Sequence, residues 1–354
     1  MRALTARPGG KFTWADVPAP PPPGPLGAVV HPIAVATCDI DRAMGLGRTP
    51  FLLPMQFGHE CVAEVLAVGD EVGTVAPGDR VVVPFQISCG TCRTCLAGHT
   101  ANCTSVPPIS MYGFGVAGGH WGGAFADQLA VPYADAMLVP LPAGIDPAAA
   151  ASVADNVSDG FRAVAPHLPG LLERSPDTQV LILCELGRRP PLSSSVALYA
   201  GLTAKALGAS EVHFVDRRPY VREQAQALGM TVHRPAARRH LPRVPLVIEN
   251  SCTSAGPRIG LRHTASDGIC VTPGGINRTA PVPIAEMYGR NATYQVSRAH
   301  THTVIPYVLD LMQSGNLHPE RVTTRLGRLD DAPHEIHRHV NGDDTKTILL
   351  ADAP

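Results

Sequence analysis

The feature that most constrains this chain is a run of four cysteines spaced C-x2-C-x2-C-x7-C, formed by Cys89, Cys92, Cys95 and Cys103. Four thiolates on one short loop match the tetrahedral coordination that zinc prefers. Because they leave no open position for water or substrate, such a zinc ion would stabilise the lobe and carry out no chemistry. His99 lies within the run, but the thiolates complete the shell without it, so we expect it to be a surface residue.

Length and composition limit the class of protein. The chain has 354 residues, room for two domains, and its 45% hydrophobic and 17% charged residues are typical of a globular protein. A net charge of −1 argues against binding to nucleic acid or an anionic membrane. We find neither an apolar run long enough to span a membrane nor the apolar core of a signal peptide at the start. We therefore expect a cytoplasmic protein whose nine cysteines form no disulfides.

Two kinds of pattern divide the chain near residue 155. Before it, short Val-, Gly- and Pro-rich runs at 27–36, 61–68 and 79–84 predict an irregular β-rich domain. After it, strands alternate with helices, the strands at 179–184, 211–216, 245–250 and 268–273 and the helices at 195–207 and 222–228. This alternation predicts a doubly wound parallel sheet, in which ligands bind at the carboxyl ends of the strands.

A second metal site is indicated by scattered residues. Cys38, His59 and Asp155 would make a three-ligand zinc site with one open position, which is typical of catalytic zinc. Each residue alone has a simpler interpretation. A lone buried cysteine usually packs as a small apolar residue, and an aspartate before a helix is usually an N-cap.

Several segments carry a resemblance to a known family. The family motif G-H-E-x2-G-x5-G-x2-V matches Gly58, His59, Glu60, Gly69 and Val72, with Ala63 in place of the middle glycine. Segments 81–85, 122–127, 286–290 and 311–317 follow in family order. On this basis the chain resembles the zinc-dependent medium-chain dehydrogenase/reductase (alcohol dehydrogenase) family over nearly its whole length.

The resemblance implies a fold and two zinc sites. The fold is a GroES-like catalytic domain, residues 1–154 and 291–354, plus a Rossmann-type dinucleotide-binding domain, residues 155–290. Cys38, His59 and Asp155 are implied as ligands of a catalytic zinc, with Glu60 as an alternate ligand. The four-cysteine run is implied as the structural site. In such enzymes zinc is a Lewis acid that assists hydride transfer to or from nicotinamide.

The phosphate-binding loop departs from the family pattern G-x-G-x-x-G. Only Gly187 remains between the first strand and helix of the second domain. Ser194 and Ser195 stand where glycines would let the backbone approach a pyrophosphate. Serine caps at the helix N-terminus, with Arg188 and Arg189, would still suit a phosphate. The alternative is a solvated loop that binds no ligand.

Other nucleotide-binding features are retained. Asp216 ends the second strand, where an acidic residue binds the adenosine ribose and favours NAD over NADP. Alternatively, it is a solvated strand-end residue. Arg217 follows it, so NADP is not excluded, and Thr253 resembles the family loop under the cofactor. Small residues that would let a nicotinamide carboxamide meet the backbone are Pro273, Gly274 and Gly275.

The proton relay of the family is also missing. A serine or threonine usually stands two residues after the zinc cysteine, but here Ile40 follows Cys38 at that spacing, and it cannot carry a proton. Asp39, Asp41 or water would have to replace the relay. Alternatively, both aspartates are exposed loop carboxylates, or the reaction is the reduction of a conjugated C=C bond, which does not need this relay.

These observations favour a zinc-dependent oxidoreductase that uses NAD, or less favourably NADP, on an alcohol, aldehyde or activated enone. One alternative is a zinc-dependent lyase, cyclase or isomerase that lost dinucleotide use. Another is an inert zinc protein that serves as a binding partner, which the joint retention of the Cys–His–Asp set disfavours. We expect a small-molecule substrate and a homodimer or homotetramer, formed through the apolar segment 269–284 at the edge of the second domain.

Overall fold

The computed structural model describes residues 1–187, 192–275 and 279–351, which divide into two units. One unit comprises Met1–Ser158 with His300–Pro354, and the other comprises Asp159–Ala299. The family resemblance implied breaks after residues 154 and 290. The ligand candidate Asp155 therefore lies within the first unit. No helix in the described part of the chain is long and apolar enough to cross a membrane.

The first unit is built from short strands that pair antiparallel, except for the last two, which pair parallel to each other. They are β1 (Arg2–Arg7), β2 (Lys11–Asp16), β3 (Ala28–Ala36), β4 (Met55–Gln56), β5 (Glu60–Val68), β6 (Arg80–Val83), β7 (Leu129–Val131), β8 (Val139–Pro140), β15 (Arg325–Arg328) and β16 (Thr347–Leu350). One three-stranded sheet has the order β2-β1-β4. A seven-stranded sheet has the order β15-β16-β3-β5-β6-β8, with β7 also paired to β3. Fully buried side chains such as Leu4, Phe57 and Phe125 pack in its core.

Short helices connect these strands. The α-helices are α1 (Asp41–Gly45), α2 (Arg93–Leu96), α3 (Ala134–Met137), α4 (Pro147–Ala150), α11 (Thr301–Gln313) and α12 (Ala332–Asn341). Single 3₁₀ turns lie at Thr100–Asn102, Gly115–Gly118, Ala151–Ala154, Pro319–Val322 and Leu329–Asp331.

The register of three strands positions the candidate metal ligands. β3 runs antiparallel to β5 with Ala36 opposite Glu60, and β16 runs antiparallel to β3 with Ile348 opposite Ala36. The end of β3, the start of β5 and the start of β16 therefore lie side by side. This places Cys38, which follows β3, beside the His59–Glu60 pair.

The second unit is a parallel sheet with helical crossovers. Its strands are β9 (Gln179–Leu183), β10 (Glu211–Val215), β11 (Thr231–His233), β12 (Val244–Glu249), β13 (Thr264–Thr272) and β14 (Thr293–Val296). Its helices are α5 (Asn156–Val164), which begins in the first unit, α6 (Leu168–Arg174), α7 (Ser195–Ala206), α8 (Pro219–Ala227), α9 (Gly256–His263) and α10 (Ile284–Tyr288), with a 3₁₀ turn at Pro235–His240. The order β11-β10-β9-β12-β13-β14, all parallel, is that of a doubly wound sheet.

Local sequence explains the first crossover helix. α7 is rich in alanine and leucine, and ten of its residues are buried because it packs against the sheet. It ends before Gly208, whose φ of +95° is a left-handed conformation that glycine adopts without strain. The predicted strands and helices of this unit are therefore confirmed in type and order.

Candidate functional site

The four cysteines of the run converge. The Sγ atoms of Cys89, Cys92, Cys95 and Cys103 all lie within 4.8 Å of one another. The Cys92 and Cys103 sulfurs are 3.9 Å apart, near the edge of about 3.8 Å of a tetrahedron with Zn–S bonds of about 2.3 Å. Backbone N–H groups donate to these sulfurs, from Cys92 to Cys89 at 3.3 Å and from Cys89 to Cys103 at 3.4 Å. The donor set therefore fits a zinc ion.

Hydrogen bonds favour the thiolate form of two of these cysteines. Burial raises the pKa of Cys89, but donors led by the Ser105 hydroxyl outweigh it and lower the pKa to about 7. The Thr94 hydroxyl and nearby backbone groups lower the pKa of Cys92 to about 4. Burial raises the pKa of Cys95 to about 12. Zinc binds cysteine in its thiolate form. The hydrogen bonds therefore favour the form of Cys89 and Cys92 that the metal needs.

A second group of ligand-type side chains lies in the same unit. The ligand atoms of Cys38, His59, Glu60 and Asp155 are all within 4.8 Å of one another, and all four residues are buried. Asp155 Oδ2 lies 3.3 Å from Cys38 Sγ and 3.4 Å from His59 Nε2. Ligands about 2.1 Å from a tetrahedral zinc are separated by about 3.4 Å. These residues therefore also fit a zinc ion, and they come from three separate places along the chain, since His59 and Glu60 are neighbours.

Asp155 joins this group because of the turn before α5. The 3₁₀ turn at Ala151–Ala154 packs against the strands that carry the other ligands, and Asp155 follows it directly. The simpler interpretation, an isolated N-cap, does not account for its carboxylate contacts with Cys38 and His59. Burial and the neighbouring Asp155 carboxylate raise the pKa of Cys38. Burial lowers the pKa of His59, but the hydrogen bond to Asp155 and nearby carboxylates outweigh it and raise the pKa.

Asp41 is wholly buried beside this group. Its Oδ2 accepts the backbone N–H of Cys38 at 2.8 Å, and burial raises its pKa to about 6. Its Oδ1 and the Nδ1 atom of His59 are both buried without a hydrogen-bond partner among the described residues. Asp39 is 7% exposed and Asp41 is 0% exposed. The alternative that these aspartates are exposed loop carboxylates is therefore wrong, because the loop after β3 folds inward onto the ligands.

Glu60 is held by a lysine that the sequence did not reveal. Lys346 Nζ lies 2.8 Å from Glu60 Oε2, and both side chains are fully buried. The ammonium also donates to the backbone carbonyl of Thr37 and to Asn156 Oδ1, the latter at 2.9 Å. Burial raises the pKa of Glu60 to about 8, although Lys346 acts in the opposite direction. No local pattern could indicate this pair, because only the β16–β3–β5 pairing brings its members together.

Asp216, at the carboxyl end of β10, is hydrogen-bonded to other residues of the same unit. It is 0% exposed, so the alternative of a solvated strand-end residue is wrong. Its Oδ1 accepts from Arg218 Nε at 3.0 Å and its Oδ2 accepts from Arg218 Nη2 at 2.7 Å. Its Oδ2 also accepts the backbone N–H of Glu185, whose carboxylate lies 3.1 Å from Arg218 Nε. Both carboxylate oxygens are thus hydrogen-bonded internally.

The same arginine reaches the N-terminus of the first crossover helix. Arg218 donates to the Leu192 carbonyl at 2.9 Å and to Ser194 Oγ at 3.0 Å. Ser194 occupies the N-cap position of α7 but makes no side-chain capping hydrogen bond, which differs from the predicted serine cap. Ser195 is the first residue of α7 and is fully buried. Arg217 pairs with Glu185 and donates to the Gly187 carbonyl at 3.0 Å.

The remaining cofactor candidates lie at the ends of β12 and β13. Thr253 Oγ1 is 3.0 Å from Ser251 Oγ, and the Pro273 carbonyl accepts from Arg162 Nη2 at 3.1 Å. A Cβ on Gly274 would lie 2.6 Å from Cys252 Sγ, whereas a Cβ on Gly275 would meet nothing within 4 Å. The predicted phosphate ligands Arg188 and Arg189 lie outside the described residues.

One unit thus gathers two sets of metal-binding side chains, and the other has the doubly wound sheet of dinucleotide-binding proteins. Together they define the class of two-domain, metal-dependent dehydrogenases. Comparison with known proteins agrees. Residues 24–143 match the alcohol dehydrogenase GroES-like domain. The chain is 30% identical to a probable zinc-binding alcohol dehydrogenase of Mycobacterium tuberculosis, over 100% of this chain and 89% of that protein.

Two further matches cover most of the chain. A geraniol dehydrogenase of Castellaniella defragrans is 29% identical, over 89% of this chain and 88% of that protein. The solved structure of an alcohol dehydrogenase from Thermus sp. ATN1 is 28% identical, with a TM-score of 0.88 over 99% of this chain and 100% of that one. The chain belongs to the zinc-dependent alcohol dehydrogenase family and is an oxidoreductase. The predicted family, the GroES-like plus Rossmann fold and the enzyme class are confirmed.

Proposed function

We propose that this protein catalyses zinc-assisted hydride transfer between NAD(P) and an alcohol, an aldehyde or an activated enone. The observation that carries the proposal is the buried set of Cys38, His59 and Asp155, whose ligand atoms have the spacing of a zinc shell. Three protein ligands leave a fourth position open, as catalytic zinc requires. When bound there, zinc would supply Lewis-acid polarisation of the substrate oxygen.

The protein's own residues would tune this site. Lys346 holds Glu60 by a fully buried ion pair, which supports a role for Glu60 as an alternate rather than a permanent ligand. The Asp41 carboxylate acts electrostatically on His59 and raises its pKa, and each residue has one buried polar atom without a hydrogen-bond partner among the described residues. A carboxylate behind a metal-bound histidine fixes its tautomer and orientation. We therefore propose that Asp41 supports His59.

The usual position of the proton relay, two residues after Cys38, carries no hydroxyl group. Ile40 occupies the usual relay position and cannot accept or donate a proton. Asp41 is completely shielded from solvent, so it lacks a direct route for exchange, whereas Asp39 retains 7% exposure. We propose Asp39, or water next to it, as the proton carrier for carbonyl substrates. An enone substrate would avoid this requirement, since its proton is delivered to carbon.

We propose that NAD is preferred over NADP, and that either binds weakly. Asp216 is the predicted ribose ligand, and Glu185 shares its partner Arg218, so two carboxylates would disfavour a 2′-phosphate there. The guanidinium of Arg218 engages both of them and Ser194. A ribose that binds Asp216 has to displace this arginine. Its displacement would consume part of the binding free energy.

We further propose a homodimer or homotetramer. β14 is the last strand of the six-stranded sheet, so one of its edges is available for pairing among the described strands. Two large apolar side chains of the preceding helix α10 are exposed, Ile284 at 66% and Tyr288 at 86%. A monomer at micromolar concentration in light scattering would contradict this part of the proposal.

The experiment that tests the function combines three measurements on purified protein. Metal analysis should find two zinc ions per chain. Titration with NADH and NADPH should show binding of at least one, with NADH preferred. A panel of primary alcohols, aldehydes and enones should then show nucleotide-dependent turnover that is lost in Cys38→Ser. Absence of binding of either nucleotide at millimolar concentration would overturn the proposed hydride transfer.

A further inference from the structure

Asn156 connects the candidate zinc ligands to the buried lysine. It follows Asp155 in the chain and is 1% exposed. Its Nδ2 group donates to Cys38 Sγ at 3.1 Å and to Asp155 Oδ2 at 2.9 Å. One side-chain amide therefore contacts two of the three proposed ligands at once.

The other end of the amide fixes its orientation. Asn156 Oδ1 accepts from Lys346 Nζ at 2.9 Å and from the backbone N–H of Asp39 at 3.3 Å. An ammonium and a backbone N–H can only donate, and the Asp155 carboxylate can only accept when ionised. A flipped amide would place its nitrogen against two donors and its oxygen against a carboxylate. The contacts thus allow one orientation, with the NH₂ group toward Cys38 and Asp155.

We propose that Asn156 is a positioning residue that holds Cys38 and Asp155 in the geometry needed to bind zinc. This proposal rests on the function proposed above, because it assumes that those residues are zinc ligands. The two ligands carry negative charge when they bind a metal, and their nearest atoms are 3.3 Å apart. Two N–H groups directed at that pair offset the repulsion and fix both rotamers. Hydrogen bonds to metal ligands of this kind typically change metal affinity about 10–100-fold.

The isosteric variant Asn156→Asp separates this role from simple packing. It keeps the size of the side chain and keeps an acceptor for Lys346, but it replaces the NH₂ group with a carboxylate oxygen facing Cys38 and Asp155. We expect zinc at this site to be removed by a chelator at about 10–100-fold lower concentration than in the wild type. Asn156→Ser, which retains one hydroxyl donor, should give an intermediate loss.

The four-cysteine lobe is the internal control. Its zinc should be retained equally in the wild type and both variants, which shows that the variants are folded. Cobalt(II) in place of zinc gives a second readout, because the thiolate-to-cobalt absorption band moves to lower energy when a hydrogen bond to sulfur is lost. The spectrum of Cys38→Ser gives the contribution of the four-cysteine lobe, which is subtracted.

The outcomes separate the two proposals. If the wild type holds only the lobe zinc, the proposed catalytic zinc site fails and the role of Asn156 fails with it. If the wild type holds two zinc ions, and Asn156→Asp holds both with an unchanged chelator response and cobalt band, then the role of Asn156 is overturned while the zinc site stands.

Discussion

The candidate metal site and the candidate nucleotide site of this chain differ in how their buried polar groups are paired. In the metal-binding unit, His59 Nδ1, Asp41 Oδ1 and Glu60 Oε1 are buried and lack hydrogen-bond partners among the described residues, beside ligand atoms at zinc spacing. In the six-stranded unit, the polar groups at the strand ends are paired with each other. Asp216 is paired with Arg218, and the Pro273 carbonyl is hydrogen-bonded to Arg162.

This difference bears on ligand binding because buried polar groups almost always have partners. Unpaired atoms around converging ligands indicate a site that gains interactions when a metal enters. Where the polar groups are already hydrogen-bonded to one another, a ligand must first break those internal hydrogen bonds in order to bind. We therefore expect metal binding to be strong and nucleotide binding to be weak. The first and last predictions below test the two sides of this contrast, and the two between them test the buried charges of the metal-binding unit.

The largest effect is expected at the four-cysteine lobe. Cys103→Ser should lose one zinc per chain and lower the free energy of unfolding by about 5 kcal/mol or more, because structural zinc contributes directly to folding. Metal analysis measures the zinc content, and thermal melting measures the loss of stability. The buried thiol Cys61 belongs to neither cluster, so Cys61→Ala is the control and should keep both zinc ions. A wild-type melting temperature in Cys103→Ser would contradict a structural zinc.

Loss of the buried lysine should have the next largest effect. Lys346→Met leaves the Glu60 carboxylate buried without its cation, which typically costs about 3–5 kcal/mol. Denaturant unfolding measures the loss. The double variant Lys346→Met/Glu60→Gln should recover part of it, since no unpaired charge remains. Equal stabilities of the single and double variants would show that the charge of Glu60 is not the cause.

Acid should destabilise the metal-binding unit through His339. This residue of α12 is 0% exposed, and burial, with nearby Arg42 and Lys346, lowers its pKa to about 3. Its folded pKa is below the unfolded value, so the unfolded chain binds more protons between about pH 6.5 and 3. Stability therefore falls as the pH drops through that window, by about 2 kcal/mol between pH 6.5 and 5.

The contribution of His339 is isolated by unfolding the wild type and His339→Gln with denaturant at pH 7 and at pH 5. The variant should lose less stability than the wild type between the two pH values, whatever its stability at pH 7. Parallel losses in the two proteins would exclude His339 as the source of acid sensitivity.

The smallest effect is expected at the nucleotide-binding positions. Arg218→Lys keeps a positive charge near Asp216, but its single ammonium cannot replace all the contacts to Asp216, Leu192 and Ser194. A ribose should then displace it more easily. We expect NADH to bind about 3–10-fold more tightly, a gain of about 1 kcal/mol.

The matched control for this change is the neighbouring arginine. Arg217 has a side chain that is 49% exposed and that pairs with Glu185, so Arg217→Lys should leave the NADH affinity within about twofold. Weaker NADH binding in Arg218→Lys than in the wild type would show that this arginine assists the nucleotide instead of obstructing it.

Much of the architecture could be predicted from local patterns in the sequence. The four-cysteine spacing, the alternation of strands and helices after residue 155 and the inward Cys38, His59 and Asp155 set were all expected from the sequence or its family resemblance. Periodicity and short spacings determine the first two features, because neighbouring residues along the chain stay neighbours in the fold. The ligand set spans 117 residues, and the family resemblance is what implied it. The loop at Arg188 and Arg189 lies outside the described residues, and its predicted phosphate contacts stay a prediction.

The sequence by itself therefore determined the fold class and one closed metal lobe, since both depend on residues that are close in the chain or on regular periodicity. Only the tertiary structure decided how the buried charges are paired. Lys346 reaches Glu60 across the β16–β3–β5 pairing, and Arg218 reaches both a strand end and a helix start. Charge pairing follows from strand register and side-chain rotamers, and neither leaves a local pattern. The physical reason is that a buried charge must find a partner wherever the packing places one.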